Sequence, residues 1–80
     1  RDDRALDAAA RHARGAVALS PDSGAAWATL GRALFRVDRT RLAAEAMAQA
    51  VERSPDHPGY RQAMALYRKR LVQETRQKGK

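Results

Sequence analysis

The chain has 80 residues, a formal net charge of +7 and no cysteine. Eighty residues allow one small domain, and the lack of cysteine excludes disulfides and thiolate chemistry. No run of about 18 apolar residues occurs, so we expect no transmembrane helix. The charged N-terminus does not match a signal peptide, and we therefore expect a cytoplasmic location.

Alanine dominates the apolar part of the composition. Apolar residues make up 44% of the chain, and 18 of them are alanine, the residue with the highest helix propensity. This composition predicts an all-α fold with a thin core. The excess of arginine over lysine, together with so much alanine, is typical of bacterial genomes with a high GC content.

Two Ser-Pro pairs divide the chain into segments. They are Ser20-Pro21 and Ser54-Pro55. Because a residue before proline avoids the helical conformation, a helix should end just before each pair. Between the pairs, the stretch "FRVDRTR" interrupts the apolar pattern. The sequence therefore predicts four helices, over about 3–18, 24–37, 40–53 and 58–75.

The predicted turns contain residues suited to helix starts. Asp22 or Ser23 can cap the second helix and Thr40 the third, while Asp38 tolerates the turn before Thr40. Pro58 suits the first position of the fourth helix.

Each predicted helix carries an apolar stripe at i, i+3, i+4, i+7 spacing, which predicts helices packed side by side through short loops. The stripes consist of Leu6, Ala9, Ala10, Ala13, Ala16 and Val17; Trp27, Leu30, Gly31, Leu34 and Val37; Ala43, Ala46, Met47, Ala50 and Val51; and Tyr60, Ala63, Met64, Tyr67 and Leu71. We expect one domain over residues 1–80, with a frayed basic tail over 76–80.

The stretch from residue 25 to 57 has a further regularity. Its marked positions are Trp27, Leu30, Gly31, Leu34, Ala43, Met47, Ala50 and Pro55. This spacing resembles the tetratricopeptide repeat, a 34-residue helix–turn–helix with the pattern W-x2-L-G-x2-Y, then A-x3-F, then P. The two Ser-Pro pairs are one such repeat length apart, and a shift by the same length places Ala9, Ala16 and Pro21 on the pattern. The resemblance implies one full repeat over about 24–57, flanked by a half repeat and a terminal helix in an antiparallel α-solenoid stack.

Gly31 lies in the interior of the second predicted helix. Glycine there costs about 1 kcal/mol relative to alanine, which indicates that a neighbouring helix approaches closely, with Ala43 and Ala50 as the opposing small residues. Leu34 replaces the tyrosine and Met47 the phenylalanine of the family pattern. Two further positions depart from it: Asp38 stands where glycine is usual, and Arg53 stands where an apolar residue is usual.

The family register places the start of this chain at the second helix of a repeat. A solenoid unit needs neighbours to bury its faces. We therefore expect an excerpt of a longer array, or self-association through the uncovered face of the first helix.

In the family, the first helices of successive pairs line a concave groove. By this register the groove residues would be Ala28, Arg32, Phe35, Arg36, Gln62, Lys69 and Arg70, with Ala25 and Leu66 beside them. Arginine binds carboxylates through two parallel hydrogen bonds, so the resemblance implies an interaction module that binds an acidic peptide or protein. The alternative is that these arginines form an ordinary solvated surface.

The C-terminal segment carries most of the excess charge. Residues 58–80 contain seven basic residues against Glu74 alone, which leaves a basic helical nucleic-acid-binding domain as the alternative function. Tyr60 and Tyr67 lie on the apolar stripe, a position that favours core packing over base stacking. A solvated helix and a membrane-surface helix are further alternatives.

Catalysis and metal binding have little support. His12 and His57 are far apart in the chain, and neither has a second histidine at ligand spacing. No nucleophile motif and no glycine-rich phosphate loop occurs. We expect no enzyme activity, no metal and no cofactor, while a catalytic domain elsewhere in a longer parent chain stays open.

Overall fold

The computed structural model describes residues 3–78, apart from the side chains of residues 3, 6 and 78. Within this range the chain forms four α-helices and no strand: α1 (Asp3–Leu19), α2 (Gly24–Arg36), α3 (Thr40–Arg53) and α4 (Pro58–Lys78). The predicted all-α fold is confirmed. Residues 76–78, expected in a frayed tail, continue α4, and residues 79 and 80 lie outside the described range.

The helix starts agree with the sequence at α2 and α4 but not at α3. The Ser23 side chain caps α2 by accepting a hydrogen bond from the Ala26 N–H at 3.1 Å, and Pro58 is the first residue of α4. The expected Thr40 cap is wrong, because Arg39 holds the N-cap position without a side-chain hydrogen bond. Asp38 has φ 63°, the left-handed conformation in which the repeat usually has glycine.

The helices pack in chain order, α1 on α2, α2 on α3 and α3 on α4, and the contact between α2 and α3 is the most extensive. At Gly31 a Cβ atom would lie 3.2 Å from the Ala43 carbonyl oxygen and 3.1 Å from Cε of Met47. The close approach predicted at Gly31 is therefore confirmed. Ala50 lies instead beside Gly24, where a Cβ would be 3.2 Å from its carbonyl oxygen.

The core consists mainly of small side chains on these seams. Met47 is fully buried, and Trp27 packs against the core while remaining partly accessible. The buried apolar residues are Ala10, Ala13, Ala28, Leu30, Ala33, Leu34, Ala43, Ala44, Ala46, Met47, Ala50 and Tyr67. None of the helices in the described range is long and apolar enough to span a bilayer.

The turn between α1 and α2 is held by side chains from α2 and α3. The Pro21 carbonyl oxygen accepts hydrogen bonds from the Trp27 indole N–H at 2.8 Å and from Nε of Arg53 at 2.6 Å. The Arg53 guanidinium also lies over the Trp27 ring, 5.1 Å from its centroid. This packing explains how Arg53 occupies a position where the repeat usually has an apolar residue.

Candidate functional site

Two predicted groove residues lie together on α2. Arg32 and Arg36 are one turn apart and exposed. With Thr29 and Ala33 of α2 and Ala9 of α1, they line a cavity of about 230 Å³. Since Ala9 and Ala33 present only methyl groups, the walls leave space beside the two guanidinium groups.

The charge of this cavity is not neutralised within the described part of the chain. Arg32 and Arg36 form no ion pair there. The Thr29 hydroxyl donates to the Ala25 carbonyl oxygen at 2.9 Å, so it offers a ligand only its lone pairs. Two positive guanidinium groups are therefore the charged groups among the residues that line the cavity.

Phe35 and Arg70, also predicted for the groove, are engaged in the contact between α2 and α4. The Phe35 ring stacks on the Tyr67 ring with centroids 4.2 Å apart and an interplanar angle of 13°. The Arg70 guanidinium lies over the same Phe35 ring at 5.5 Å, a cation–π arrangement. Both residues therefore hold α4 against α2.

Arg70 is also the centre of a polar cluster beside the turn between α2 and α3. Its Nε lies 3.3 Å from Oε2 of Glu74, and its Nη2 lies 3.9 Å from Oδ1 of Asp38. The same Oε2 accepts a hydrogen bond from the buried hydroxyl of Thr40 at 2.9 Å. Arg70 is thus surrounded by carboxylates and contributes less free charge than Arg32 or Arg36.

Burial changes the acidity of the tyrosine that stacks on Phe35. Tyr67 is only 5% exposed, and its burial raises the pKa of the phenol above the ordinary value of 10.0. The positive charge of Arg32 opposes this shift by lowering the pKa. Burial is the larger effect, so the structure favours the neutral phenol.

Ala28 requires a correction. It is fully buried, so its side chain does not reach a ligand surface. Ala28 lies four residues after Gly24 and three before Gly31, so it shares their helix face, and both glycines lie against α3. The family register identified the correct helix but assigned this residue of the α2–α3 seam to the groove.

Gln62 and Lys69 are exposed on α4, and Leu66 beside them is 56% exposed. No hydrogen bond or ion pair joins either polar residue to Arg32 or Arg36 within the described residues.

Three residues that line the cavity, Ala9, Thr29 and Ala33, were absent from the predicted site. Thr29 was detectable, since it precedes Arg32 and Arg36 by three and seven residues on one helix face. Ala9 was not, because the sequence does not specify how closely α1 approaches α2.

The two histidines do not form a site together. Nδ1 of His57 accepts a hydrogen bond from the Tyr60 N–H at 3.3 Å, and its ring stacks on the Tyr60 ring at 3.7 Å. His57 is therefore a cap of α4, whereas His12 is exposed. Between residues 3 and 78, no three His, Asp or Glu side chains are grouped in a way that could hold a metal ion.

Antiparallel helices stacked in chain order, with a small-residue seam and regularly spaced Ser-Pro turns, define the class of α-helical repeat proteins. The family model for the tetratricopeptide repeat matches residues 1–67, and the chain belongs to this family. No curated protein and no solved structure matches the chain. Tetratricopeptide repeats are typically non-catalytic scaffolds for protein–protein interaction.

Proposed function

We propose that this chain is a protein–protein interaction module that binds an acidic segment of its partner, with Arg32 and Arg36 as the anchoring residues. The observation that supports this most directly is the unneutralised arginine pair at the cavity between α1 and α2. A carboxylate entering this cavity would meet two guanidinium groups, each able to donate two parallel hydrogen bonds.

The other predicted groove residues have two different roles in this proposal. Gln62, Lys69 and Leu66 are exposed on α4 and extend the binding surface with one amide, one cation and one apolar side chain. Phe35 and Arg70 hold α4 in place and keep that surface in position.

A charge-reversal experiment tests the groove. Arg32→Glu with Arg36→Glu should weaken binding of a fluorescent Asp- and Glu-rich peptide by about tenfold or more, since the variant replaces attraction with repulsion. Arg11→Glu with Arg41→Glu is the matched control, because both residues are exposed and the net charge changes equally. Equal loss of affinity in the two variants would mean that net charge alone attracts the peptide, and the groove assignment would be wrong.

We also propose self-association through the uncovered face of α1. Ala9 and Ala16 are exposed, whereas Ala43 and Ala50, their counterparts in the next repeat, are fully buried beneath α2. A second copy of the chain packed on this face would bury Ala9 and Ala16 as α2 buries Ala43 and Ala50. Sedimentation at increasing concentration should show a rise in mass that Ala9→Glu with Ala16→Glu abolishes, and a concentration-independent monomer mass for the parent would disprove the proposal.

A further inference from the structure

A row of basic residues occupies the side of α4 that faces away from the stack. Arg61, Ala65, Arg68, Val72 and Arg76 follow one another at intervals of four, three, four and four residues, so they share one helix face. All five are exposed. We call this set the outer row, and at 1.5 Å per residue it is about 22 Å long.

The inner side of the same helix is already occupied. Tyr67 is buried on it, and Tyr60, Ala63 and Met64 pack against the core. The low exposure of this side contrasts with the outer row, in which Val72 is 50% exposed. No other described helix therefore covers the outer row.

The charge of the outer row is unbalanced. Arg61, Arg68 and Arg76 form no ion pair within the described residues. Glu74, the acidic residue of α4, is bound to Arg70 and Thr40 near the turn between α2 and α3. Three guanidinium groups on one straight face are complementary to a row of carboxylates or phosphates.

The apolar residues of the row distinguish between these two kinds of partner. Ala65 and Val72 are seven residues apart, the repeat of a helix–helix seam, and flanking charges on such a seam select an oppositely charged helix. A phosphate backbone would leave both side chains uncovered. The two tyrosines of α4 cannot serve as a platform for bases without losing their present contacts, because Tyr60 stacks on His57 and Tyr67 stacks on Phe35.

We infer that the outer row is a second interaction surface, which binds an acidic amphipathic helix of a partner protein. The partner helix places small and aliphatic residues over Ala65 and Val72, and its flanking glutamates or aspartates pair with the three arginines. A second copy of this chain is not a suitable partner through its own outer row, because the two basic rows would repel each other. The surface is independent of the cavity at Arg32 and Arg36.

The probe is a designed helical peptide of about 18 residues, with leucine and alanine along one seam and glutamate on both sides. A scrambled peptide of the same composition and a DNA duplex of similar length and charge serve as comparisons. Fluorescence anisotropy with the whole chain at about 0.15 M salt measures each affinity. We expect the designed peptide to bind most tightly.

Three variants locate the binding surface. Arg68→Glu with Arg76→Glu should weaken peptide binding by about tenfold or more. Arg11→Glu with Arg41→Glu, which changes the net charge equally at exposed positions outside both proposed surfaces, should alter it by less than about twofold. Val72→Ser should lower the affinity for the designed peptide several-fold without changing the affinity for the DNA duplex. Circular dichroism checks that each variant remains helical.

Three outcomes would overturn the inference. If the scrambled peptide bound as tightly as the designed one, charge alone would attract the peptide and packing between two helices would contribute nothing. Tighter binding of the duplex would make the outer row a nucleic-acid surface. Equal weakening by the two double variants would mean that no particular face is used.

Discussion

The hydroxyl of Thr40 at the start of α3 donates a hydrogen bond to Oε2 of Glu74 near the end of α4, 34 residues further along the chain. Thr40 is 4% exposed, so the bond lies where water competes weakly. Glu74 also binds Arg70, which stands over the Phe35 ring. The last helix is thus attached to the preceding pair by a polar cluster as well as by aromatic packing.

Removing the Thr40 hydroxyl should loosen this attachment. Thr40→Val should lower the free energy of unfolding by about 1–2 kcal/mol, because a buried hydrogen bond to a charged group is lost. Urea denaturation measures this change. Thr75→Val is the control, since the exposed Thr75 hydroxyl donates to the Leu71 carbonyl oxygen of its own helix and has no other hydrogen bond in the described part of the chain. In a Glu74→Ala background, the Thr40→Val cost should fall, and full additivity would contradict a direct Thr40–Glu74 interaction.

Gly31 and Gly15 should respond in opposite directions to the same substitution. Gly15→Ala should stabilise the chain by up to about 1 kcal/mol, because alanine favours the helix and a Cβ there meets nothing within 4 Å. Gly31→Ala should cancel that gain and lower stability by about 1 kcal/mol, because its Cβ would press on the Ala43 carbonyl oxygen. Thermal melts compare the variants, and equal stabilisation by both would contradict the tight seam.

Arg53 should contribute to stability although its position usually holds an apolar residue. Arg53→Ala removes a hydrogen bond to Pro21 and a cation–π contact with Trp27, and it should cost about 1 kcal/mol. Trp27 is the only tryptophan, so its fluorescence should also change. Arg41→Ala, an exposed arginine on the same helix, should stay within about 0.5 kcal/mol of the parent. A matching effect at the two positions would contradict the proposed role of Arg53.

The raised pKa of Tyr67 predicts a loss of stability in alkali. The folded state holds the neutral phenol more firmly than the unfolded chain, whose pKa is near 10.0. The contribution is therefore complete below that value and is lost as the pH rises through the higher folded pKa. Guanidinium denaturation between about pH 9 and 11 should show a smaller decline for Tyr67→Phe than for the parent. Parallel declines would show that Tyr67 is not the group responsible.

The pair of helices α2 and α3 was largely predictable from the sequence. Gly31 in a helix interior, followed by Ala43 in the next helix, indicated a close seam because only small residues permit that approach. The two Ser-Pro pairs marked the turns, since proline excludes the helical conformation before it.

The face of α4 that packs inward was predictable from its apolar stripe, whereas the residues that it contacts were not. Tyr67, on the predicted apolar stripe, is buried, while Leu66 and Val72, outside the stripe, are exposed. The stripe does not specify which side chains of α2 it contacts. The stacking of Phe35 on Tyr67 is one such contact. Threonine is a residue type that often caps helices, but the Thr40 hydroxyl bonds Glu74 of another helix instead. Spacing within one helix does not predict a contact between helices.

The Pro21 carbonyl oxygen, which accepts from both Trp27 and Arg53, has a mechanical consequence. For α1 to pivot about the turn that follows it, bonds to two different helices would have to break together. The two bonds therefore restrict the tilt of α1 relative to α2 and α3. An array of units joined in this way would wind with a regular pitch.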